Sequence, residues 1–158
     1  MAIANILKTY LQQQEIEYRL IIHPHSSSSM ETAEMAHVPG DALAKGVLLK
    51  DEESFLLVVL PSDYYIELDI LCELLKQKVE LASESEVELL FPDCEVGAVP
   101  PIGFAYAVQT IWDHTSSLGR QDKIYFESGD HQHLVCITGK QFHELMTSAE
   151  RREFSYHI

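Results

Sequence analysis

Two apolar runs in close succession constrain the fold of this chain more than any other feature. Residues 43–49 and 55–60 are both rich in Leu and Val, and the turn-prone segment Asp51-Glu-Glu-Ser54 lies between them. Short apolar runs bounded by turn residues are typical of buried strands. The sequence therefore predicts a β-hairpin across residues 43–60.

The remaining pattern alternates between helices and strands. Apolar residues at helical spacing predict helices from residue 3 and across 68–78, and capping boxes at Ser28, Ser83 and Thr138 predict three more. Further strands are predicted at 18–22, 105–110, 123–126 and 134–138. This order predicts an α/β fold, one domain over residues 1–158, with several antiparallel pairs in its main sheet.

Charge and cysteine content limit the class of protein. Eleven Lys and Arg against 25 Asp and Glu give a net charge of −14, which argues against tight, non-specific binding of nucleic acid. No apolar run reaches the length of a membrane span, and the amino terminus lacks a signal-peptide pattern. Cys72, Cys94 and Cys136 form no C-x-x-C pair, which indicates reduced thiols in a cytoplasmic protein.

One loop combines stiffness with glycine. The stretch DCEVGAVPPIGF, residues 93–104, contains Pro100 and Pro101, which fix φ and lack backbone donors. Gly97 and Gly103 bracket the prolines and permit positive φ or close approach of another molecule. The loop is therefore either a plain turn or a rigid wall for a ligand.

A lysine interrupts the first run of the predicted hairpin. Lys45 shares strand parity with Leu43 and Val47, and burial of an unpaired ammonium in such a run is costly. Its side chain either extends to solvent near the start of the strand or lines a pocket that holds an anionic or carbonyl group.

Several motifs occur in the order found in one known family. They are His23-Pro24, Val38-Pro39, Ala44-Lys45, GAVPPIG at 97–103 and YFESG at 125–129. Together these motifs resemble the YbaK/prolyl-tRNA-synthetase-associated domain family over roughly residues 15 to 145. The resemblance implies a single α/β domain in which helices surround a curved, barrel-like mixed sheet that is largely antiparallel.

The resemblance also implies a function. Members of the family hydrolyse the ester of a mischarged tRNA, so this chain is expected to be an aminoacyl-tRNA deacylase that acts in trans, with a small amino acid on tRNA-Pro or a related tRNA as substrate. Its expected partners are the aminoacyl-tRNA acceptor end and a prolyl-tRNA synthetase, with no membrane contact, metal or cofactor. The family's catalytic lysine falls on Lys45, which is expected to contact the terminal adenosine or the ester region of the substrate. The substrate-binding positions fall on Gly97, Ala98, Val99, Pro100, Pro101 and Gly129.

The predicted loop suits this chemistry. An aminoacyl ester is already activated, so a positioned water and donors aimed at the developing oxyanion can suffice. Free backbone amides of Gly97, Ala98 and Val99 are the candidate donors, and Lys45 is expected to bind phosphate or adenosine hydroxyls without acting as a general base. Gly46 stands where the family commonly has threonine, which affects which amino acid is accepted.

Other candidate sites have less support. His23 and His25, or His131 and His133, have the i, i+2 spacing of some metal ligands, but ordinary structural or surface roles are favoured. Cys94 has no basic neighbour in sequence to ionise its thiol. Two alternatives to catalysis stay open: a binding module that senses an aminoacyl or nucleotide ligand, and an acidic accessory protein recruited to a synthetase.

Overall fold

The computed structural model describes residues 3–158, so residues 1 and 2 of the predicted domain lie outside the described residues. Five α-helices occur in the described part: α1 (Asn5–Gln13), α2 (Ser29–Ala36), α3 (Leu68–Leu75), α4 (Glu84–Leu90) and α5 (Gly139–Leu145). The strands are β1 (Arg19–Ile22), β2 (Leu43–Lys50), β3 (Phe55–Pro61), β4 (Tyr64–Ile66), β5 (Glu80–Leu81), β6 (Gln109–Trp112), β7 (Lys123–Glu127), β8 (His133–Thr138), β9 (Glu150–Arg151) and β10 (Ser155–His157).

Eight of these strands form one mixed sheet. Seven follow the order β1-β8-β7-β2-β3-β6-β9, and β5 pairs with the far end of β2. The pairs β2–β7, β3–β6 and β6–β9 are parallel, and the other pairs of this sheet are antiparallel. The predicted mixed α/β fold is confirmed, although the sheet stays open because β1 and β9 are its edges and do not pair with each other.

The predicted hairpin is the centre of this sheet. β2 pairs with β3 from Ala44 opposite Pro61 to Lys50 opposite Phe55. Both faces of the hairpin are covered, since Ala44 and Leu48 face the main core while Leu49 packs in a second cluster with α3. Burial on both faces explains why both strands read as continuous apolar runs.

Three helices begin at the predicted caps. Ser83 with Glu86 and Thr138 with Gln141 form complete capping boxes at α4 and α5. At α2 the Ser28 hydroxyl accepts from the Glu31 amide at 3.1 Å, but the Glu31 carboxylate accepts from Ser27 instead of closing the box. The amino end of α2 is therefore fixed by local hydrogen bonds.

The strand predicted at 105–110 is misplaced, because only residues 109–110 of that range lie in β6. Residues Gly103–Tyr106 form a 3-10 turn, and the strand begins only at Gln109. Ala107 adopts a φ of 58°, which lets the Val108 amide return to the Gly103 carbonyl at 2.9 Å. This reversal packs Gly103 so tightly against Thr110 that a Cβ at position 103 would lie 2.2 Å from its hydroxyl oxygen.

The carboxy-terminal segment adds elements that the sequence pattern did not predict. β10 pairs antiparallel with β4 in a separate two-stranded sheet. Asp113 anchors this segment, because its carboxylate accepts from the amides of Phe154 and Ser155 at 3.0 and 2.9 Å. Within residues 3–158, no helix combines the length and apolar character needed to cross a bilayer.

Candidate functional site

The glycine-proline loop is largely buried. Ala98, Val99, Pro100 and Pro101 are all buried, and Val99 belongs to the main hydrophobic core. Gly97, at the start of the loop, is exposed. The prolines thus anchor the loop in the core, and only its first residues reach solvent.

Two of the three predicted amide donors of this loop are unpaired. The amide of Ala98 donates to the Glu95 carbonyl at 3.0 Å, so the prediction that this amide is free is wrong. The amides of Gly97 and Val99 have no hydrogen-bond partner among residues 3–158. Gly97 has a φ of 86°, a conformation that glycine adopts at little cost.

Gly97 lies between a histidine and the amino end of α2. A Cβ at position 97 would lie 3.1 Å from His131 Nε2 and 3.9 Å from the Ser27 carbonyl oxygen. His131 Nε2 is 2.8 Å from the carbonyl oxygen of Val96, the residue before Gly97. His131, for which a structural or surface role was predicted, therefore contacts the predicted loop directly.

Lys45 fits neither of its two predicted environments fully. The side chain is half-buried, and its Nζ donates to the carbonyl oxygens of Ser62 at 3.3 Å and Tyr64 at 3.0 Å. Burial lowers the pKa of Lys45, while the Asp63 carboxylate acts to raise it. The ammonium thus binds the turn between β3 and β4, and one of its three protons remains available to a ligand.

Strand β2 also contacts the loop directly. A Cβ at Gly46 would lie 3.2 Å from the Cα of Pro101. Because side chains alternate along a strand, Lys45 projects to the face opposite Gly46, so its ammonium does not lie against the prolines. The Ser62 hydroxyl contacts the Ser29 hydroxyl of α2, which connects the turn held by Lys45 with the same helix end that faces Gly97.

Gly129 supports the loop from a different side. Its φ is 118°, and its carbonyl oxygen accepts from the Glu95 amide at 2.8 Å. A cleft of about 370 Å³ adjoins Gly129 and is lined by parts of three segments, 3–5, 92–95 and 129–130. A larger cleft of about 480 Å³ lies at the far end of the hairpin, around Lys50 and Lys78, and is lined by none of the predicted site residues.

A buried acid between two histidines was not predicted as a unit. Glu127 ends β7, and its carboxylate lies 3.4 Å from His23 Nε2 and 3.0 Å from His131 Nδ1. Burial, together with the charges of Asp130 and Glu95, raises the pKa of Glu127 to about 8. The paired histidines in the sequence were the available signal, but only the β1–β8–β7 pairing brings them to one acid.

Cys94 is unsuited to nucleophilic catalysis. Burial, with the Asp93 carboxylate nearby, raises the pKa of Cys94 to about 12. Its Sγ lies 3.3 Å from the Tyr106 hydroxyl, so the thiol is part of a local network with Asp93. Within residues 3–158, no group of three or more His, Cys, Asp or Glu side chains is arranged to hold a metal ion.

A profile of the aminoacyl-tRNA editing domain matches residues 23–145, which include every predicted site residue. The chain belongs to the aminoacyl-tRNA editing domain family. The family resemblance inferred from the sequence motifs is thereby confirmed.

Similar curated proteins include several proline–tRNA ligases. The chain is 30% identical over 115 residues to the ligase of Bacillus cytotoxicus and 29% identical over 115 residues to that of Bacillus cereus. The matched residues are 70% of this chain but only 20% of each ligase, so this editing domain family member spans about a fifth of these relatives.

Solved structures share the fold. A hypothetical protein superimposes with a TM-score of 0.82 at 23% identity, with 96% of this chain and 100% of that chain covered. A protein described as a candidate trans-editing enzyme for prolyl tRNA synthetase gives a TM-score of 0.80 at 19% identity, with 97% and 96% covered. The editing domain fold thus extends over nearly all of the chain.

Proposed function

We propose that this protein is an aminoacyl-tRNA deacylase, which hydrolyses in trans the ester between a small, wrongly attached amino acid and tRNA-Pro or a related tRNA. Membership of the editing domain family supports an aminoacyl-tRNA substrate. The proline–tRNA ligases among the relatives support tRNA-Pro as the carrier. Such a reaction would take place in the cytoplasm, where tRNA is charged.

The observation that carries this proposal is the pair of unpaired amides at Gly97 and Val99. Attack of water on an ester carbonyl creates an oxyanion, and preorganised backbone N–H groups stabilise it without reorganisation. The buried prolines that follow make the loop rigid, so the amides keep their direction during the reaction. Removal of one donor of this kind typically costs about 100-fold to 1,000-fold in kcat.

Lys45 is assigned to substrate binding. Two of its protons are directed to the Ser62 and Tyr64 carbonyls, which hold the ammonium in one place. The third proton is available to a phosphate or a hydroxyl of the terminal adenosine. A contact between Lys45 and the terminal adenosine would place the attached ester on the side of α2 that also reaches Gly97.

A panel of charged tRNAs tests this function. The purified protein is incubated with tRNA-Pro that carries alanine, cysteine, serine or proline, and loss of the ester is followed over time. We expect hydrolysis of at least one of the three wrongly attached amino acids and no hydrolysis of the proline ester. Absence of turnover on all four, with and without a prolyl-tRNA synthetase, would contradict a deacylase.

The second candidate function is a non-catalytic module that recognises an aminoacyl or nucleotide ligand, or accompanies a synthetase. The net charge of −14 favours it, because affinity for the tRNA backbone must be low without a partner. Binding to a synthetase would raise the local tRNA concentration. Titration of tRNA binding against salt, with and without prolyl-tRNA synthetase, tests whether affinity depends on a partner. For the protein alone, we expect log K to fall with log salt with a shallow slope of about one to three phosphates.

A further inference from the structure

His23, Glu127 and His131 form a buried cluster in which one nitrogen of each histidine ring faces the Glu127 carboxylate. The three residues are 3%, 5% and 4% exposed. His23 Nε2 faces Glu127 Oε1 at 3.4 Å, and His131 Nδ1 faces Glu127 Oε2 at 3.0 Å. None of these four atoms has a hydrogen-bond partner elsewhere among residues 3–158.

The tautomer of each histidine ring follows from the nitrogen that faces away from Glu127, here called the outer nitrogen. His23 Nδ1 lies 2.8 Å from the Pro24 carbonyl oxygen, and His131 Nε2 lies 2.8 Å from the Val96 carbonyl oxygen. A carbonyl oxygen only accepts, so each of these nitrogens carries the proton of a neutral imidazole. The inner nitrogens, which face Glu127, therefore present lone pairs unless a ring becomes cationic.

When Glu127 is ionised, no proton therefore lies between its carboxylate and the two inner nitrogens. With Glu127 charged and both rings neutral, two acceptors face a buried carboxylate, which is costly. One added proton makes the cluster neutral and turns the 3.0 Å contact between Glu127 and His131 into a hydrogen bond, while the 3.4 Å contact with His23 stays open. The elevated pKa of Glu127, about 8, agrees with a proton on its carboxyl at neutral pH.

We propose that Glu127 is a positioning residue for the candidate site: it shares one proton with His131 and so holds the ring that orients the peptide between Val96 and Gly97. The carbonyl of Val96 and the amide of Gly97 belong to one planar trans peptide, so their directions are opposite and linked. When His131 Nε2 binds the Val96 oxygen, the direction of the Gly97 N–H is fixed as well. This inference rests on the proposed function, because Gly97 is one of the proposed oxyanion donors.

Four other titratable side chains surround the cluster: Glu95, Asp130, His25 and His133. Asp130 and Glu95 act to keep the proton on Glu127. His25, after β1, lies 3.3 Å from the Glu95 carboxylate and packs against the His131 ring, with 5.4 Å between the ring centroids. His133 lies 2.6 Å from the Asp130 carboxylate, which offsets part of that charge when His133 is protonated. When the shared proton is lost at alkaline pH, the lone pair of His131 Nδ1 faces the Glu127 carboxylate. The ring is then no longer held in place, and the peptide between Val96 and Gly97 should be released.

Two substitutions of the same residue separate positioning from mere packing. Glu127→Gln keeps an N–H donor for His131 Nδ1 but does not titrate, whereas Glu127→Leu removes the donor and keeps an apolar side chain of similar size. Glu88→Gln, at an exposed position of α4, is the matched control. Each variant is checked for folding by urea denaturation before use.

The first readout needs no tRNA. Nitrogen-15 NMR follows the His131 ring and the Gly97 amide from about pH 6 to about pH 9.5, which brackets the Glu127 pKa of about 8. We expect the Gly97 resonance and the His131 Nδ1 resonance to move together in wild type and Glu88→Gln, and both transitions to vanish in Glu127→Gln. An unchanged Gly97 resonance in Glu127→Leu would overturn the proposal.

The second readout is the deacylation rate over the same pH range, corrected for hydrolysis without enzyme. We expect kcat to fall on the alkaline side in wild type, the alkaline fall to disappear in Glu127→Gln, and Glu127→Leu to lose about tenfold or more in kcat with KM little changed. Persistence of the alkaline fall in Glu127→Gln would contradict the role of Glu127. If wild type hydrolyses no ester, the proposed function fails, and the NMR comparison alone decides whether Glu127 positions Gly97.

Discussion

Gly46 of the central hairpin lies directly against Pro101 of the candidate site loop. A Cβ at position 46 would come within 3.2 Å of the Pro101 Cα and 3.1 Å of Leu57 Cδ1. Pro101 and Leu57 are both buried, so neither can move away freely. This contact joins the strand that carries Lys45 to the loop that begins at Gly97.

We predict that Gly46→Ala destabilises the protein and displaces the loop. Overpacking of this kind typically costs about 1–3 kcal/mol in the free energy of unfolding, and the shifted loop should also lower the deacylation rate. Gly40→Ala is the control, because the three atoms nearest to a Cβ there all belong to the Asp63 side chain, at 3.3 Å or more. Urea denaturation and the rate per folded molecule are measured for both variants. Equal stability of Gly46→Ala and wild type would show that the contact with Pro101 is loose.

Gly97→Ala should reduce activity more than stability. The φ of 86° costs a non-glycine residue about 1–2 kcal/mol. The new methyl group would also lie 3.1 Å from His131 Nε2, where it would disturb the bond to the Val96 carbonyl. The deacylation rate and the unfolding free energy are measured together, again with Gly40→Ala as control. A wild-type rate in Gly97→Ala would mean that the loop is only a turn.

Lys45→Met should lose deacylation while the protein remains folded. The methionine keeps the apolar stem but cannot bind substrate or the carbonyls of Ser62 and Tyr64. Loss of these two charge-assisted bonds should cost about 1–3 kcal/mol of stability. Lys123→Met, at an exposed position, is the control. A large fall in Tm with full activity per folded molecule would make Lys45 a structural clamp of the turn.

Asp113→Asn should weaken the carboxy-terminal segment in a pH-dependent way. Although burial acts to raise it, the hydrogen bonds from Ser155, Thr115 and Phe154 hold the pKa of Asp113 below its ordinary value of 3.8. A lowered pKa in the folded state stabilises the protein above about pH 4, and this stabilisation is lost as pH falls through the folded-state pKa. Thermal unfolding from neutral to acid pH should show a stability gap between wild type and Asp113→Asn that narrows on acidification. A gap independent of pH would contradict the role of the charge, and Asp122→Asn serves as an exposed control.

Local features of the fold were predictable from the sequence. The hairpin follows from two apolar runs and a turn, and Ser83 and Thr138 mark the starts of their helices because capping depends on residues three apart. The strand at 105–110 was misplaced because alternating Ala, Tyr and Val do not reveal the tight packing of Gly103 on Thr110. Local pattern alone cannot supply contacts of that kind.

The candidate site was predictable only in part, for the same reason. The motifs carry Lys45, Gly97 and Gly129, but the bond from the Ala98 amide to Glu95 depends on the path of the loop. The meeting of His23, Glu127 and His131 depends on β1 pairing with β8 and β8 with β7. Long-range strand pairing thus decides which polar groups share the site.

The most direct test of the proposed deacylase activity is the rate at which the purified protein alone hydrolyses tRNA-Pro charged with alanine, with the proline ester measured in parallel. A deacylase that uses the Gly97 amide should cause enzyme-dependent loss of the alanine ester, leave the proline ester intact, and show little activity as Gly97→Ala. A rate equal to that without enzyme for alanine, and likewise for cysteine and serine, would contradict a deacylase, and equal hydrolysis of the proline ester would contradict an editing role.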